Sequence, residues 1–102
     1  LISWIITLQY DTTVDQLKTI RNQIEDHIKK SDEFNTSIGI AVRVDKFSDS
    51  SIDMYVRCFT NSGSWNEWLS VKEKLALAIK QIVESNKASF AFPSSSIYIE
   101  KK

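Results

Sequence analysis

Two stretches decide the fold: Ile38-Gly39-Ile40-Ala41-Val42-Arg43-Val44-Asp45 and Ile52-Asp53-Met54-Tyr55-Val56-Arg57-Cys58-Phe59. In each, apolar residues alternate with polar or small ones. A period of two sorts side chains onto the two faces of an extended strand and has no use in a helix. The connector Ser48-Asp49-Ser50 is short and polar, so segments 37–47 and 51–60 should fold back on each other as an antiparallel hairpin.

Upstream, residues 1–10 are rich in β-branched and aromatic side chains, with Ile2, Trp4, Ile6 and Leu8 on one side and Ser3, Ile5, Thr7 and Gln9 on the other. This too reads as a strand. Asp11-Thr12-Thr13 stops it, and Thr13 with Gln16 three residues later has the spacing of a capping box, which satisfies backbone donors at a helix start. Leu17, Ile20, Ile24 and Ile28 then recur at three and four, giving a helix with one apolar stripe that should end by about Ser31. Lys29 and Lys30 near its end suit the negative pole of the helix dipole.

Downstream, Asn61-Ser62-Gly63 breaks the second hairpin strand. Ser64 is placed to cap a second helix with Glu67 reaching back to it. Trp68, Leu75, Ala78, Ile79, Ile82 and Val83 carry its apolar face to about Ser85, and Trp65 and Trp68 are expected as core or near-core anchors. Ser89-Phe90-Ala91-Phe92-Pro93 leaves helical geometry, because Pro93 biases its predecessor toward an extended state. Phe90 and Phe92 share a side of that extended run and should anchor it against the helices. Ile97, Tyr98 and Ile99 make a last short strand.

The order β-α-β-β-α-β specifies an α+β protein of the ferredoxin-like kind: a two-layer sandwich, its four-stranded antiparallel sheet in the order 4-1-3-2 and both helices on one face. At 102 residues, the chain is long enough for one such domain, spanning 1–102, and too short for two. Its start at Leu1 instead of a methionine suggests a piece of a longer protein.

Composition narrows the function classes. Thirteen basic residues balance thirteen acidic ones, so no net field draws the domain to nucleic acid or to an anionic membrane. A single cysteine, Cys58, excludes an internal disulfide and a multi-cysteine zinc site, and its place in an apolar strand register makes it a buried, inert thiol. The longest apolar stretch, Leu1 to Leu8, falls far short of the ~20 residues of a membrane helix.

Because this topology hosts many functions, each possible site is weighed separately. An RNA-recognition module would present stacking aromatics on a basic strand; Tyr55 and Phe59 share a face, but Asp53 stands where the basic residue would be. The loop Tyr10-Asp11-Thr12-Thr13 offers neither the soft ligands of a metal chaperone nor the arginine cradle of an acyl-phosphate hydrolase. His27 reads as a solvated or half-buried helix-edge residue, Asp45, Asp49 and Asp53 as a solvated turn, and Ser94-Ser95-Ser96 as a serine-rich approach to an edge strand. No nucleophile, base and oxyanion donor are spaced as one constellation, so no catalytic, cofactor or metal residue is expected.

Three stretches carry a family resemblance: Tyr10-Asp11-Thr12-Thr13 with Gln16-Leu17; Phe47-Ser48-Asp49-Ser50-Ser51-Ile52-Asp53 running on to Val56-Arg57 and to Trp65 through Leu69; and Ser89-Phe90-Ala91-Phe92-Pro93 with Ile97-Tyr98-Ile99-Glu100. In order and spacing they resemble the C-terminal cytoplasmic α/β domain of the small-conductance mechanosensitive ion channel family, and they span nearly the whole chain. The resemblance implies a non-enzymatic assembly and vestibule domain of a tension-gated bacterial channel. In that family, membrane helices upstream make the pore, seven copies form a hollow cytoplasmic vestibule crossed by ions and small osmolytes, and the channel releases solutes during hypo-osmotic shock. It implies self-association, attachment to the inner membrane only through upstream segments, and no cofactor or nucleic acid. A small-ligand regulatory module of the same topology is the other reading.

An assembly domain needs a surface. If Ile38, Ile40, Ile52, Met54, Val56, Ile97 and Ile99 point to the helices, the opposite sheet face presents Ile5, Thr7, Arg43, Tyr55, Arg57, Phe59 and Tyr98. Large, partly apolar side chains and arginines of this kind are enriched at interfaces. Ile5, Arg43, Tyr55, Arg57, Phe59 and Tyr98 are therefore the expected subunit-contact residues.

Overall fold

A computed structural model describes residues 1–91. Strand β1 (Ile2–Leu8) is followed by helix α1 (Val14–Lys30), the hairpin strands β2 (Ala41–Phe47) and β3 (Ile52–Cys58), and helix α2 (Trp65–Ser85). β3 is the central strand. It pairs antiparallel with β1 on one side and β2 on the other, giving a three-stranded sheet in the order β1-β3-β2. The last expected strand, Ile97–Ile99, lies outside the described residues. On the free side of β1, however, the chain leaving α2 returns. Leu8 and Phe90 form an antiparallel bridge, flanked by hydrogen bonds from Gln9 N–H to the Ser89 carbonyl (3.0 Å) and from Ala91 N–H to the Thr7 carbonyl (2.9 Å).

One core holds these elements together. Leu17, Ile20, Ile24 and Ile28 of α1 and Val71, Leu75, Ile79 and Val83 of α2 bury their stripes against Ile2, Leu8, Val42, Ile52, Met54, Val56 and Cys58. Trp4, Ile6, Ile40 and Phe90 pack on its margin. Even-numbered residues of β1 and β3 thus face the helices, and the odd-numbered set faces away.

Where the hairpin strand β2 begins differs from its sequence pattern. Ile38 and Ile40 alternate as strand residues should, yet β2 starts only at Ala41 and Ile38 is exposed. With Ala41 opposite Arg57, an unbroken ladder would set Ile38 opposite Thr60. Phe34 occupies that place instead, bridging Thr60 with hydrogen bonds from Asn35 N–H to the Phe59 carbonyl (2.8 Å) and from Asn61 N–H to the Glu33 carbonyl (2.9 Å). The intervening residues loop out, and Asn35 Oδ1 starts the loop by accepting from the backbone N–H (3.1 Å) and the hydroxyl (2.6 Å) of Ser37. Such local side-chain bonds compete with the sheet ladder. Phe34, buried in the core, makes this detour worthwhile.

At its other end, β2 carries a bulge between Val44 and Lys46 that returns Phe47 to the row of Ile52. At this end the core covers β3, where Met54 and Ile52 are buried, but not the β2 edge. Val42 is fully buried, Val44 is exposed, and Phe47 stands 71% exposed at the tip. Trp65 corrects a second expectation. As the first residue of α2 it is 71% exposed, ahead of the turn where Val71 begins the buried stripe, while Trp68 is half-buried with Lys72 Nζ 4.3 Å from its ring centre.

Candidate functional site: the open sheet face

Period-two geometry places Ser3, Ile5 and Thr7 of β1 beside Arg57, Tyr55 and Asp53 of β3, and Ala41, Arg43 and Lys46 of β2 beyond them. No helix covers this face. Its central row is Ile5, Tyr55 and Arg43, directly paired across the three strands, and the adjacent row is Ser3, Arg57 and Ala41. Ile5 is 52% exposed, Tyr55 and Phe59 are half-buried, and Arg43 and Arg57 are exposed. The Tyr55 hydroxyl lies 3.2 Å from Ser3 Oγ, which fixes the phenol across β1. Phe59, just past the end of β3, has the Arg57 guanidinium carbon 5.5 Å from its ring centre, a cation–π arrangement. Ile5, Tyr55, Arg57 and Phe59 therefore share one apolar, positively edged surface.

Arg43 shares the row but not the contact. Its guanidinium turns to the sheet edge, donating to the Val42 carbonyl at 2.8 Å and lying 3.7 Å from Glu25 Oε2 of α1. Glu25 also pairs with Arg21 (3.4 Å) and Lys29 (3.8 Å), one turn away on either side along α1. Tyr98 lies outside the described residues.

The hairpin end of the same face is locked by Asp53. It is only 6% exposed, so the expected solvated turn holds for Asp45 and Asp49 but not for this residue. Its two oxygens accept from Ser48 Oγ (2.6 Å) and Ser51 Oγ (2.7 Å), which, with Lys46 nearby, hold the carboxyl below the usual aspartate range. Ser48 N–H closes the turn on the Ser51 carbonyl at 2.8 Å. In the sequence Ser48 read as part of the turn and Ser51 as the start of the strand; that both serve a buried carboxylate at the start of β3 becomes visible only in the folded hairpin.

The capping residues lie on the other layer. Thr13 Oγ1 accepts from Gln16 N–H (3.1 Å), and Gln16 Oε1 accepts from Thr13 N–H (2.8 Å). Gln16 Nε2 also donates to the Asn86 carbonyl at 2.9 Å, tying the start of α1 to the end of α2. Ser64 Oγ accepts from Glu67 N–H (3.2 Å), but Glu67 Oε1 reaches one residue beyond Ser64, to Gly63 N–H at 3.0 Å. Phe90 is half-buried against the core, and Phe92 and Pro93 lie outside the described residues.

A second concavity, which sequence reasoning did not single out, runs along the free edge of β1. It is an open groove of about 480 Å³ lined by Ser3, Trp4, Ile5 and Ile6, by Ala76, Ile79 and Lys80 of α2, and by Phe90. The alternation of Trp4 and Ile6 was its only signal.

Chemically reactive groups do not converge on either surface. Cys58 is buried and burial pushes its thiol up to about 11. Among the described residues no group of three or more histidine, cysteine or acidic side chains gathers to hold a metal ion, and no helix is long and apolar enough to cross a membrane.

Comparison with known proteins bears on what an exposed sheet face is for. An MscS family protein of Helicobacter pylori is 40% identical over 91 residues, 88% of this chain and 15% of its own length. One from Aquifex aeolicus is 34% identical over 96 residues, 94% of this chain and 26% of its own. The low conductance mechanosensitive channel YnaI of Escherichia coli is 32% identical over 95 residues, 93% of this chain and 27% of its own. The chain thus spans about a quarter or less of these relatives. Two solved structures share the fold. AtMSL1 wild type has a TM-score of 0.77 at 17% identity, over 90% of this chain and 32% of that one. Helicobacter pylori MscS in its closed state has a TM-score of 0.69 at 19% identity, over 99% and 38%. Residues 2–90 match the family described as "Mechanosensitive ion channel MscS, C-terminal", so the chain belongs to the MscS mechanosensitive channel family and corresponds to its C-terminal domain.

Proposed function

We propose that this domain is the cytoplasmic assembly and vestibule module of a tension-gated channel of the bacterial inner membrane, one that releases ions and small osmolytes during hypo-osmotic shock. It contributes no catalysis, binds neither nucleic acid nor a cofactor, and reaches the membrane through other parts of its parent. Copies associate in a ring, a heptamer by family resemblance, through the open sheet face. Ile5, Tyr55, Arg57 and Phe59 form the core of the contact, with Arg43 at its edge and Tyr98 completing it. The finer fold is the ferredoxin-like βαββαβ sandwich spanning 1–102, with a fourth strand on the free side of β1.

The observation that carries this reading is the uncovered face itself. An exposed isoleucine with two aromatic rings and two arginines, in a chain of a channel family, is a surface built for a protein contact. Tethering in a ring raises the effective concentration of each contact, so a modest interface suffices. The test is Tyr55→Glu with Phe59→Glu. The isolated domain should keep its circular dichroism spectrum, since neither ring belongs to the core cluster, while the full-length channel should assemble poorly in native gels. Normal assembly of the double variant would reject the interface. The alternative of a ligand-regulated module predicts a concentration-dependent rise in melting temperature with some metabolite.

A further inference from the structure

The open sheet face offers a positive charge and no carboxylate to match it. Arg57 is exposed, rests on the Phe59 ring, and takes part in none of the ion pairs among the described residues. The one acid at this face, Asp53, is buried and already accepts from Ser48 and Ser51. Two such faces laid on each other would bring arginine toward arginine with nothing to compensate them. The fitting occupant therefore brings an acid set among apolar side chains.

The outer side of α2 has that chemistry. Its other charged side chains are engaged: Glu67 accepts from Gly63 N–H, Lys72 lies over Trp68, Lys74 pairs with Glu33, and Lys80 pairs with Glu84. Glu73 is exposed and has no such partner among the described residues. It stands midway between Leu69, which is half-buried, and Leu77, which is 61% exposed, in a row of every fourth residue that begins at the exposed Trp65. An apolar row on the solvent side of a helix reverses the usual amphipathic rule.

From this match we infer that the open sheet face of one copy seats the outer row of α2 of the next copy, Arg57 pairing with Glu73. The inference rests on the sheet face being a subunit contact and names what it contacts. Both surfaces read apolar, charged, apolar: Tyr55, Arg57 and Phe59 on the strand, Leu69, Glu73 and Leu77 on the helix. The spacings agree as well as the signs. Alternate strand residues repeat every ~6.6 Å, and every fourth helical residue repeats every ~6 Å. The two patches lie on opposite layers of the domain, so each copy presents one to each neighbour. That is the heterologous, head-to-tail contact which a ring requires.

The test uses the full-length channel. A chain carrying both Arg57→Cys and Glu73→Cys should give a ladder of covalently joined subunits on oxidation, and neither single variant should. Glu73→Arg or Arg57→Glu alone should weaken each contact about fivefold or more, seen as lost assembly in native gels, and the two together should restore most of it. A dimer from Arg57→Cys alone would overturn the inference, because two sheet faces would then meet. Absence of the ladder would also overturn it, and a ladder without rescue by the charge swap would overturn the ion pair. The Tyr55→Glu, Phe59→Glu variant separates the two readings. If it assembles poorly and no ladder forms, the sheet face is a contact with another occupant; if it assembles normally, the face itself is rejected.

Discussion

Asp53 and Cys58 lie five residues apart on β3 and on opposite faces, and each has its proton affinity set by its surroundings. Two serine hydroxyls donate to Asp53, so its folded carboxyl titrates below the ordinary value near 3.9. The folded state therefore holds the proton less tightly than the unfolded chain. The stabilisation is complete above about pH 4 and is lost as pH falls through the folded value. Asp53→Ala should cost on the order of 1.5 kcal/mol at pH 7, the low end for hydrogen bonds to a charged group because the hairpin stands at the protein's margin, and should flatten the acid side of the stability profile. Urea titrations at pH 3 and pH 7 measure both; an equal loss at the two values would assign the effect to packing alone. Cys58 has the opposite sign. Burial raises its thiol to about 11, so ionisation favours the unfolded chain once pH exceeds an ordinary thiol value near 8.5. A disulfide reagent at pH 8 should leave the folded protein unmodified and react fully once urea unfolds it. Rapid labelling without urea would mean that the β1-β3 region opens readily.

Among the elements, the end of α2 departs most from common practice. Lys87 N–H donates to the Glu84 carbonyl (3.0 Å) and Ala88 N–H to the Val83 carbonyl (3.1 Å), the paired bonds of a Schellman cap, and Ala88 packs on the core as that motif requires. The residue in left-handed geometry is Lys87, with φ 62°, where glycine is usual. A Cβ in that conformation is strained by roughly 1–2 kcal/mol, partly offset by the freedom glycine would gain when unfolded. Lys87→Gly should therefore stabilise the domain by roughly 0.5–1 kcal/mol, seen as a higher urea midpoint with an unchanged slope. A lower midpoint would show that the lysine has a compensating contact.

This cap marks the limit of what periodicity reveals. The stripes of both helices, the hairpin and the central place of β3 were legible because each follows from residue spacing within one segment. The left-handed Lys87 has no spacing signal. The start of β2 was misread because Ile38 and Ile40 alternate correctly, while the partner they would need, Thr60, is taken by Phe34 from a separate part of the chain. Within the candidate interface, Ile5, Tyr55, Arg57 and Phe59 could be placed on one face by parity. The turn of Arg43 toward Glu25 could not, because it depends on a helix packed at the sheet edge.

At the scale of the whole molecule, the helices cover one face of the sheet unevenly and leave the other bare. The core closes over Val42, Met54 and Ile52 but leaves Val44 and Phe47 exposed, so the outer edge of the hairpin is an apolar margin that the helical layer does not cover. Hydrogen bonds from Gln16 to Asn86 and from Asn86 to Gln23 join the ends of the helices at that side, which keeps the layer in one piece without reaching the tip. The open face is structurally dispensable by comparison, which is why charged substitutions there should affect assembly and not folding.

The central strand is also the last to be made of the three that pair. Ile2 must wait for Cys58 and Leu8 for Ile52. A ribosome adding about 5–20 residues per second would leave β1 without its partner for several seconds. Throughout that interval the nascent chain carries an apolar strand with both edges bare. Because α1 can form as soon as it emerges, while β2, β3 and α2, which supply most of the core its stripe joins, are still to be made, the early half of the chain is the part most exposed to mispairing during synthesis. The topology that gives the finished domain a rigid centre thus makes its birth the time when it most needs a chaperone's cover.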